Sequence, residues 1–170
     1  MNLSSLSPRR AVILLLLTFI GALTACATTF DQRPVDVKAQ IESRVNEFLT
    51  AYAANDQTTV LNLIDPTEFS MFGSDLAEIV HSPSELKQLM TDDFALWRNA
   101  KFGVASDFDV RHQNGLATAL FSVPFSAGGG PEVVIRVTTV WRKRDGQWLL
   151  TQSANSVPTV GSSARELLRK

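Results

Sequence analysis

The feature that most constrains the fold is a change in hydrophobic periodicity near residue 100. Between residues 35 and 97, apolar side chains recur at steps of three and four, which predicts helices at about 35–54, from Asp56 to Ile64, and from Ser82 to Trp97. A short strand is expected at 68–73, between the second and third helices. Helices followed by strands predict an α+β fold.

Beyond residue 100, apolar and polar residues alternate, which is typical of strands with one buried face. Asn114-Gly115 and Asp145-Gly146 are hairpin turns, and Gly128–Gly130 is a loop, so four antiparallel strands are expected. Strict alternation places two sets of side chains on the inner face of the sheet. On the first strand they are Ser106, Phe102, Val104, Phe108 and Val110, and on the last strand they are Gln152, Trp148, Leu150 and Ala154.

The N-terminal segment predicts export. Arg9 and Arg10 precede an uncharged run at 11–24, as in a secretory signal. The run ends in Leu23-Thr24-Ala25-Cys26, which resembles a bacterial lipobox, whose cysteine is lipidated and becomes the mature N-terminus. The alternative is an uncleaved membrane anchor, because Ala11 to Phe30 is 20 residues without charge.

These observations divide the chain into a signal peptide (1–25), a lipidated tether (26–34), a domain (35–158) and a flexible tail (159–170). Without residues 1–25 the chain keeps 14 basic and 17 acidic residues, so a nucleic-acid partner is not expected. The resemblance implies a membrane partner through Cys26, and Ala27 favours the outer membrane, with the domain facing the periplasm.

Three segments of the domain resemble the nuclear transport factor 2-like superfamily, which includes SnoaL-like domains. They are Phe72 to Val80 with the helix start at Ser82-Pro83, Arg136 to Trp148, and Ser156-Val-Pro158. The resemblance implies a cone-shaped fold of three helices packed on a curved antiparallel sheet. It also implies a cavity between helices and sheet that can hold a small ligand, and dimers through the outer sheet face, where Arg136 and Thr138 would lie.

The predicted cavity contains neutral polar and aromatic side chains. The candidates for its lining are Tyr52, Trp97, Ser106, Thr139, Trp141 and Gln152. Related domains often carry a histidine on the last strand and an arginine on the strand before it. Here Ala154 and Thr139 stand at those positions, so a general base and an anion clamp are missing. The resemblance places Asp75 and Glu78 near the mouth, with structural capping as their alternative role.

The remaining titratable groups are expected at the surface. Asp92-Asp93 lies within a helix, Asp107 and Asp109 alternate with apolar residues, and His81 and His112 adjoin a helix start and a turn. Arg142-Lys143-Arg144 is interpreted as a solvated turn, with lipid head groups as an alternative contact. The histidines are far apart and have no partners at ligand spacing, so neither a metal site nor a cofactor is expected.

The sequence therefore predicts a membrane-tethered, exported, non-catalytic domain that binds a small, apolar ligand or a protein. One alternative is a lyase, isomerase or hydrolase that uses Asp75 or Glu78 as its base. Another is a homodimeric assembly module. A cavity filled by Trp97, Trp141 and Trp148 would contradict ligand binding.

Overall fold

The computed structural model describes residues 36–159. The predicted signal peptide, the lipidation site Cys26, the tether and residues 160–170 lie outside the described residues. Within 36–159, no helix is long and apolar enough to cross a membrane.

Three helices form where the sequence provides caps. They are α1 (Val37–Ala53), α2 (Gln57–Leu63) and α3 (Pro83–Leu96). Each begins after a side chain that accepts a backbone N–H of its first turn: Asp36 from Ala39, Asp56 from Thr59, and Ser82 from Glu85. The predicted helix boundaries agree with these to within a few residues.

Seven strands make one sheet. They are β1 (Ser70–Phe72), β2 (Ile79–Val80), β3 (Lys101–Phe102), β4 (Ser106–Gln113), β5 (Leu116–Ser126), β6 (Val133–Arg144) and β7 (Gln147–Ser156). Their order is β2-β1-β7-β6-β5-β3, with β4 also paired to β5. The expected α+β fold is confirmed, but the sheet is mixed and not purely antiparallel, because β1 runs parallel to β7.

Two irregularities change which side chains face the helices. Between β6 and β7, Trp141 pairs with Leu150 and Val140 pairs with Gln152, so Thr151 is an extra residue on β7. A second shift lies between Ser106 and Asp109 in β4, where Asp107 has a positive φ of 57°. Each extra residue reverses the alternation beyond it.

The core lies between the helices and the inner face of the sheet. Its buried members include Ile41 and Val45 of α1, Leu86 and Met90 of α3, and Trp141 of β6. The helices therefore cover one face only, whereas on the opposite face Leu116, Leu120 and Val134 are exposed.

Candidate functional site: an apolar cavity with an acceptor-rich end

A cavity of about 210 Å³ lies between α1, α3 and the inner face of the sheet. Its apolar lining consists of Val45, Phe48, Leu49, Met71, Leu89, Trp97, Phe102, Phe121, Val123, Phe125, Val133, Ile135, Val137, Trp141, Leu150 and Val157. An apolar cavity of about 150 Å³ is large enough for benzene. The space therefore suits a molecule with one substituted ring or two fused rings.

The tryptophans do not fill this space. Trp141 is buried beneath it, and Trp97 forms part of its wall by packing edge-on to Phe125 at 5.1 Å between ring centroids. Trp148 is not among the lining residues, because its Nε1 donates to Gln40 Oε1 of α1 at 2.8 Å. The condition that would have contradicted ligand binding is therefore not met.

Tyr52 and Asp93 form a buried pair at the cavity wall. The Tyr52 hydroxyl donates to Asp93 Oδ2 at 2.5 Å, and Asp93 is only 6% exposed. Burial raises the pKa of the Asp93 carboxyl, and the nearby charge of Glu78 raises it further, although the hydrogen bond from Tyr52 opposes the shift. Burial and the bond to Asp93 also raise the pKa of Tyr52, so this hydroxyl stays protonated.

The prediction that Asp93 lies at the surface is wrong, whereas Asp92 is exposed as expected. Asp93 continues the buried stripe of α3 after Leu86 and Met90, at steps of four and three. The helical period that identified the apolar residues therefore also marked this carboxylate. Because a charged residue is ordinarily expected at the surface, the spacing alone did not lead to the prediction that Asp93 is buried.

Of the two predicted mouth carboxylates, only Glu78 lines the cavity. Its Oε2 accepts the backbone N–H of Asp75 at 3.1 Å, and its side chain lies over Gly73, where an added Cβ would overlap it. Asp75 is exposed and outside the lining, and its carboxylate accepts the N–H of Ala77. Asp75 thus caps the loop that presents Glu78.

The bulge at Thr151 decides which β7 side chains reach the cavity. Ser153 and Asn155 line it, and Asn155 Oδ1 is buried with no hydrogen-bond partner among the described residues. The placement of Gln152 in the cavity is wrong: Gln152 is exposed, and Ala154 lies at the outer face of the sheet. Nothing in the local sequence marks the bulge, so alternation alone could not have found Asn155.

Of the two other strand residues that were predicted to line the cavity, Thr139 does so and Ser106 does not. Thr139 lines the cavity, and its Oγ1 accepts Trp141 Nε1 at 2.9 Å. Ser106 is exposed and lies outside the lining, contrary to the prediction, because the irregularity in β4 displaces it and its hydroxyl donates to Asp107. Asp107 and Asp109 are exposed, as expected.

A second buried aspartate, Asp65, lies away from the cavity lining. Its Oδ1 accepts three hydrogen bonds from Thr67 and Glu68, and its Oδ2 lies 2.6 Å from Arg144 Nε. Burial raises the pKa of Asp65, but these hydrogen bonds and the charge of Arg144 outweigh it, so the pKa lies below its ordinary value.

The basic run at 142–144 is therefore not simply a solvated turn. Arg142 lies 2.6 Å from Glu68, Arg144 pairs with Asp65, and the ammonium of Lys143 lies 5.6 Å from the centre of the Trp148 ring. The two arginines hold β6 to the segment that follows α2. A contact with lipid head groups is not needed to account for them.

A second, more open depression of about 410 Å³ lies on the outer face of the sheet. Arg136 and Thr138 border it, and both are exposed. His81 and His112 are also exposed. Within residues 36–159, no group of three or more His, Cys, Asp or Glu side chains could hold a metal ion.

The family model for the SnoaL-like domain matches residues 41–160, so the chain belongs to this family. No protein in the curated set matches the chain. Among solved structures, a nuclear transport factor 2-like superfamily protein from Salmonella enterica serovar Typhimurium is similar over 75% of this chain and 94% of that one. It has 17% identity and a TM-score of 0.65.

Two further structures show the range of proteins with this fold. A candidate dehydratase from Streptomyces avermitilis is 18% identical, with a TM-score of 0.64, over 72% of this chain and 96% of that one. A candidate calcium/calmodulin dependent protein kinase II association domain from Xanthomonas campestris is 19% identical, with a TM-score of 0.60, over 71% and 86%. At these identities the likeness establishes the fold alone, and function has to be argued from the site.

Proposed function

We propose that this protein is an exported, lipid-anchored lipoprotein whose SnoaL-like domain binds a small, largely apolar ligand. The observation that carries the binding proposal is the open cavity of about 210 Å³, with a mostly apolar wall and a few polar groups. Such a combination is typical of small-molecule sites, where apolar surface gives affinity and polar groups give orientation.

Binding can be tested with naphthalene, a neutral compound of two fused rings. Because Trp97 is part of the cavity wall, its fluorescence should change when the cavity is occupied. We expect saturable binding at micromolar to millimolar concentrations, which corresponds to about 4 to 8 kcal/mol and to less than about 1 kcal/mol for each non-hydrogen atom of the probe.

Neighbouring residues of β6 provide a matched pair of variants. Ile135 lines the cavity, whereas Val134 is exposed on the opposite face. Ile135→Phe should occupy part of the space and weaken naphthalene binding at least about tenfold, a change of roughly 1.4 kcal/mol. Val134→Phe adds a ring to the same strand and should leave binding unchanged. Equal binding by both variants would place the probe elsewhere and overturn the proposal.

The anchor is a separate part of the proposal and has its own test. The lipobox-like Leu23-Thr24-Ala25-Cys26 follows an uncharged run and supports lipidation of Cys26. Cells expressing the full chain should incorporate radiolabelled palmitate into the protein, and Cys26→Ala should abolish the label and release the domain from the membrane fraction. A wild-type protein that stays in the membrane fraction without label would favour an uncleaved anchor.

A second candidate function is acid–base catalysis, which the paired carboxylates Glu78 and Asp93 favour. A carboxyl group whose pKa is raised in an apolar site can act as a general acid or base nearer neutral pH. If the protein is an enzyme, Asp93→Asn and Glu78→Gln should abolish turnover of a bound compound without abolishing its binding; retained turnover in both variants would exclude this role.

A further inference from the structure

Besides four hydroxyl groups, the polar side chains that line the cavity present oxygens that accept hydrogen bonds. Glu78 and Asp93 present carboxylates, and Asn155 presents an amide carbonyl. Among the described residues that line the cavity, none is a lysine, arginine or histidine. Of the hydroxyls, that of Tyr52 already donates to Asp93 and that of Thr139 donates to the Ala119 carbonyl, whereas Ser74 and Ser153 carry the two others.

These acceptors lie at the same end of the cavity. Phe72 pairs with Ala154 in the parallel ladder between β1 and β7, so Gly73 and Asn155 are the next residues along two adjacent chain segments. The Glu78 side chain covers Gly73, which places it at the end of the cavity where Asn155 lies. Glu78 is also close enough to Asp93 for its charge to act on that group.

The unpaired Asn155 oxygen is an observation independent of the two carboxylates. Asn155 Oδ1 is buried, yet no described residue donates to it. A buried acceptor without a donor is unfavourable, because it has lost its bond to water without a replacement. A donor group on an occupant of the cavity would supply the missing bond.

We propose that the cavity takes an apolar molecule, about the size of one substituted ring, whose polar end is a hydrogen-bond donor directed at Glu78, Asp93 and Asn155. A positively charged amine is preferred over a neutral hydroxyl, and both are preferred over a carboxylate. This inference rests on the proposed ligand-binding function and specifies the class of ligand.

Electrostatics gives the order of preference. An ammonium group both donates hydrogen bonds and neutralises the negative charge of the acceptors, and such charge-assisted bonds are stronger than neutral ones. A hydroxyl donates without adding charge. A carboxylate brings no donor at neutral pH and would place another negative charge beside the carboxyl groups of Glu78 and Asp93, in surroundings where charges are poorly screened.

Three compounds of matched shape test this order: 2-phenylethylamine, 2-phenylethanol and 3-phenylpropionate, with naphthalene as the uncharged reference. Dissociation constants would be measured by calorimetry on the full chain at neutral pH and low salt. We expect the amine to bind about tenfold more tightly than the alcohol, consistent with one charge-assisted bond. The carboxylate should bind at least about tenfold more weakly than the alcohol.

Variants of the lining residues test which side chains produce the preference for the amine. Asn155→Leu and Glu78→Gln keep the approximate shape of the side chains and should each reduce the amine's advantage over the alcohol or the carboxylate. In Glu78→Gln the new amide oxygen can still accept the N–H of Asp75, so the loop should be preserved. Asp75→Asn is the matched control, because it removes a neighbouring exposed charge that is not part of the lining. Its amide oxygen can still accept the N–H of Ala77, so the loop should be preserved and the order of preference unchanged.

The outcomes separate this inference from the proposed function. If the carboxylate binds as tightly as the amine, or if only naphthalene binds, the donor-end inference is overturned while ligand binding stands. If none of the four compounds binds, both are overturned. An amine preference that survives in Asn155→Leu and Glu78→Gln but disappears in Asp75→Asn would also overturn it, because the charge responsible would lie outside the cavity.

Discussion

Asp65 and Asp93 are both almost fully buried, yet their surroundings differ in every other respect. Asp65 receives three hydrogen bonds and an arginine, which lower the pKa of its carboxyl group. Asp93 has one hydrogen bond from Tyr52, faces an apolar cavity and lies near another carboxylate, so its pKa is raised. A buried carboxyl group whose hydrogen bonds and ion pair are made within the protein has a structural role. One that can still accept hydrogen bonds and lies beside a cavity is available to a ligand.

The largest effect is expected from Asp65→Ala. The substitution leaves Arg144 without its closest partner and removes the acceptor of three hydrogen bonds. We expect the free energy of unfolding to fall by about 3 kcal/mol, measured by urea denaturation. Ligand binding in the folded fraction should be unaffected, since Asp65 does not line the cavity. A loss as small as that of an exposed ion pair would remove the distinction between the two aspartates.

Tyr52→Phe tests the partner of the other aspartate. The substitution removes the hydroxyl that donates to Asp93 but keeps the ring, which packs on Phe48 and Phe94. A loss of about 1.5 kcal/mol in the free energy of unfolding is expected, because the bond is buried and its acceptor can ionise. The pKa of Asp93 should rise further, and carboxylate infrared absorption against pH would show this. No shift in that titration would mean that the hydroxyl does not hold Asp93.

Asp93 and Asp65 should contribute to the pH dependence of the free energy of unfolding with opposite signs. Because the folded pKa of Asp93 is raised, its contribution is most favourable below its unfolded value near 3.8 and is lost as pH rises through the folded value. Asp93→Asn should therefore match the wild type to within about 1 kcal/mol at neutral pH, or exceed it. Its advantage should grow as the pH is raised from about 4.

Asp65→Asn should behave in the opposite way. The lowered folded pKa means that its contribution is present above the unfolded value near 3.8 and is lost as pH falls through the folded value. The deficit of Asp65→Asn relative to the wild type should thus shrink at acid pH, as measured by denaturation at several pH values. Parallel pH profiles for the two variants would contradict the assigned surroundings.

Glu68→Gln should have the smallest effect. Glu68 is half exposed and its ion pair with Arg142 is open to solvent. The free energy of unfolding should change by about 0.5 kcal/mol at low salt and by less at high salt, because exposed ion pairs are weak and screened. A much larger loss would show that the arginines depend on Glu68 as much as on Asp65.

Local patterns predicted much of the fold and part of the site. Helical spacing found α1 and α3, the dipeptides Asn114-Gly115 and Asp145-Gly146 located two hairpins, and alternation assigned Thr139 and Trp141 to the inner face. These features depend on neighbours along the chain, so sequence records them directly.

The parts that could not be predicted depend on contacts between distant segments. The parallel pairing of β1 with β7 joins residues that are far apart in the chain, such as Met71 and Ser153, and no local motif specifies it. The extra residue at Thr151 reverses the face of β7, which removes Gln152 from the cavity and brings in Asn155. The helical period of α3 places Asp93 on the buried stripe, but only the tertiary structure shows that its carboxyl group meets the Tyr52 hydroxyl.

Sequence alone therefore determined the α+β fold, its helix caps and turns, and the expectation of export and of lipidation at Cys26, because each is encoded by residues close together in the chain. Only the tertiary structure decided that the cavity is open and which end of it is polar. It also made Asp65 a structural ion pair and left Asp93 facing a cavity. The physical reason is that a carboxylate's role is set by the charges, donors and solvent around it, and folding brings these together from distant parts of the sequence.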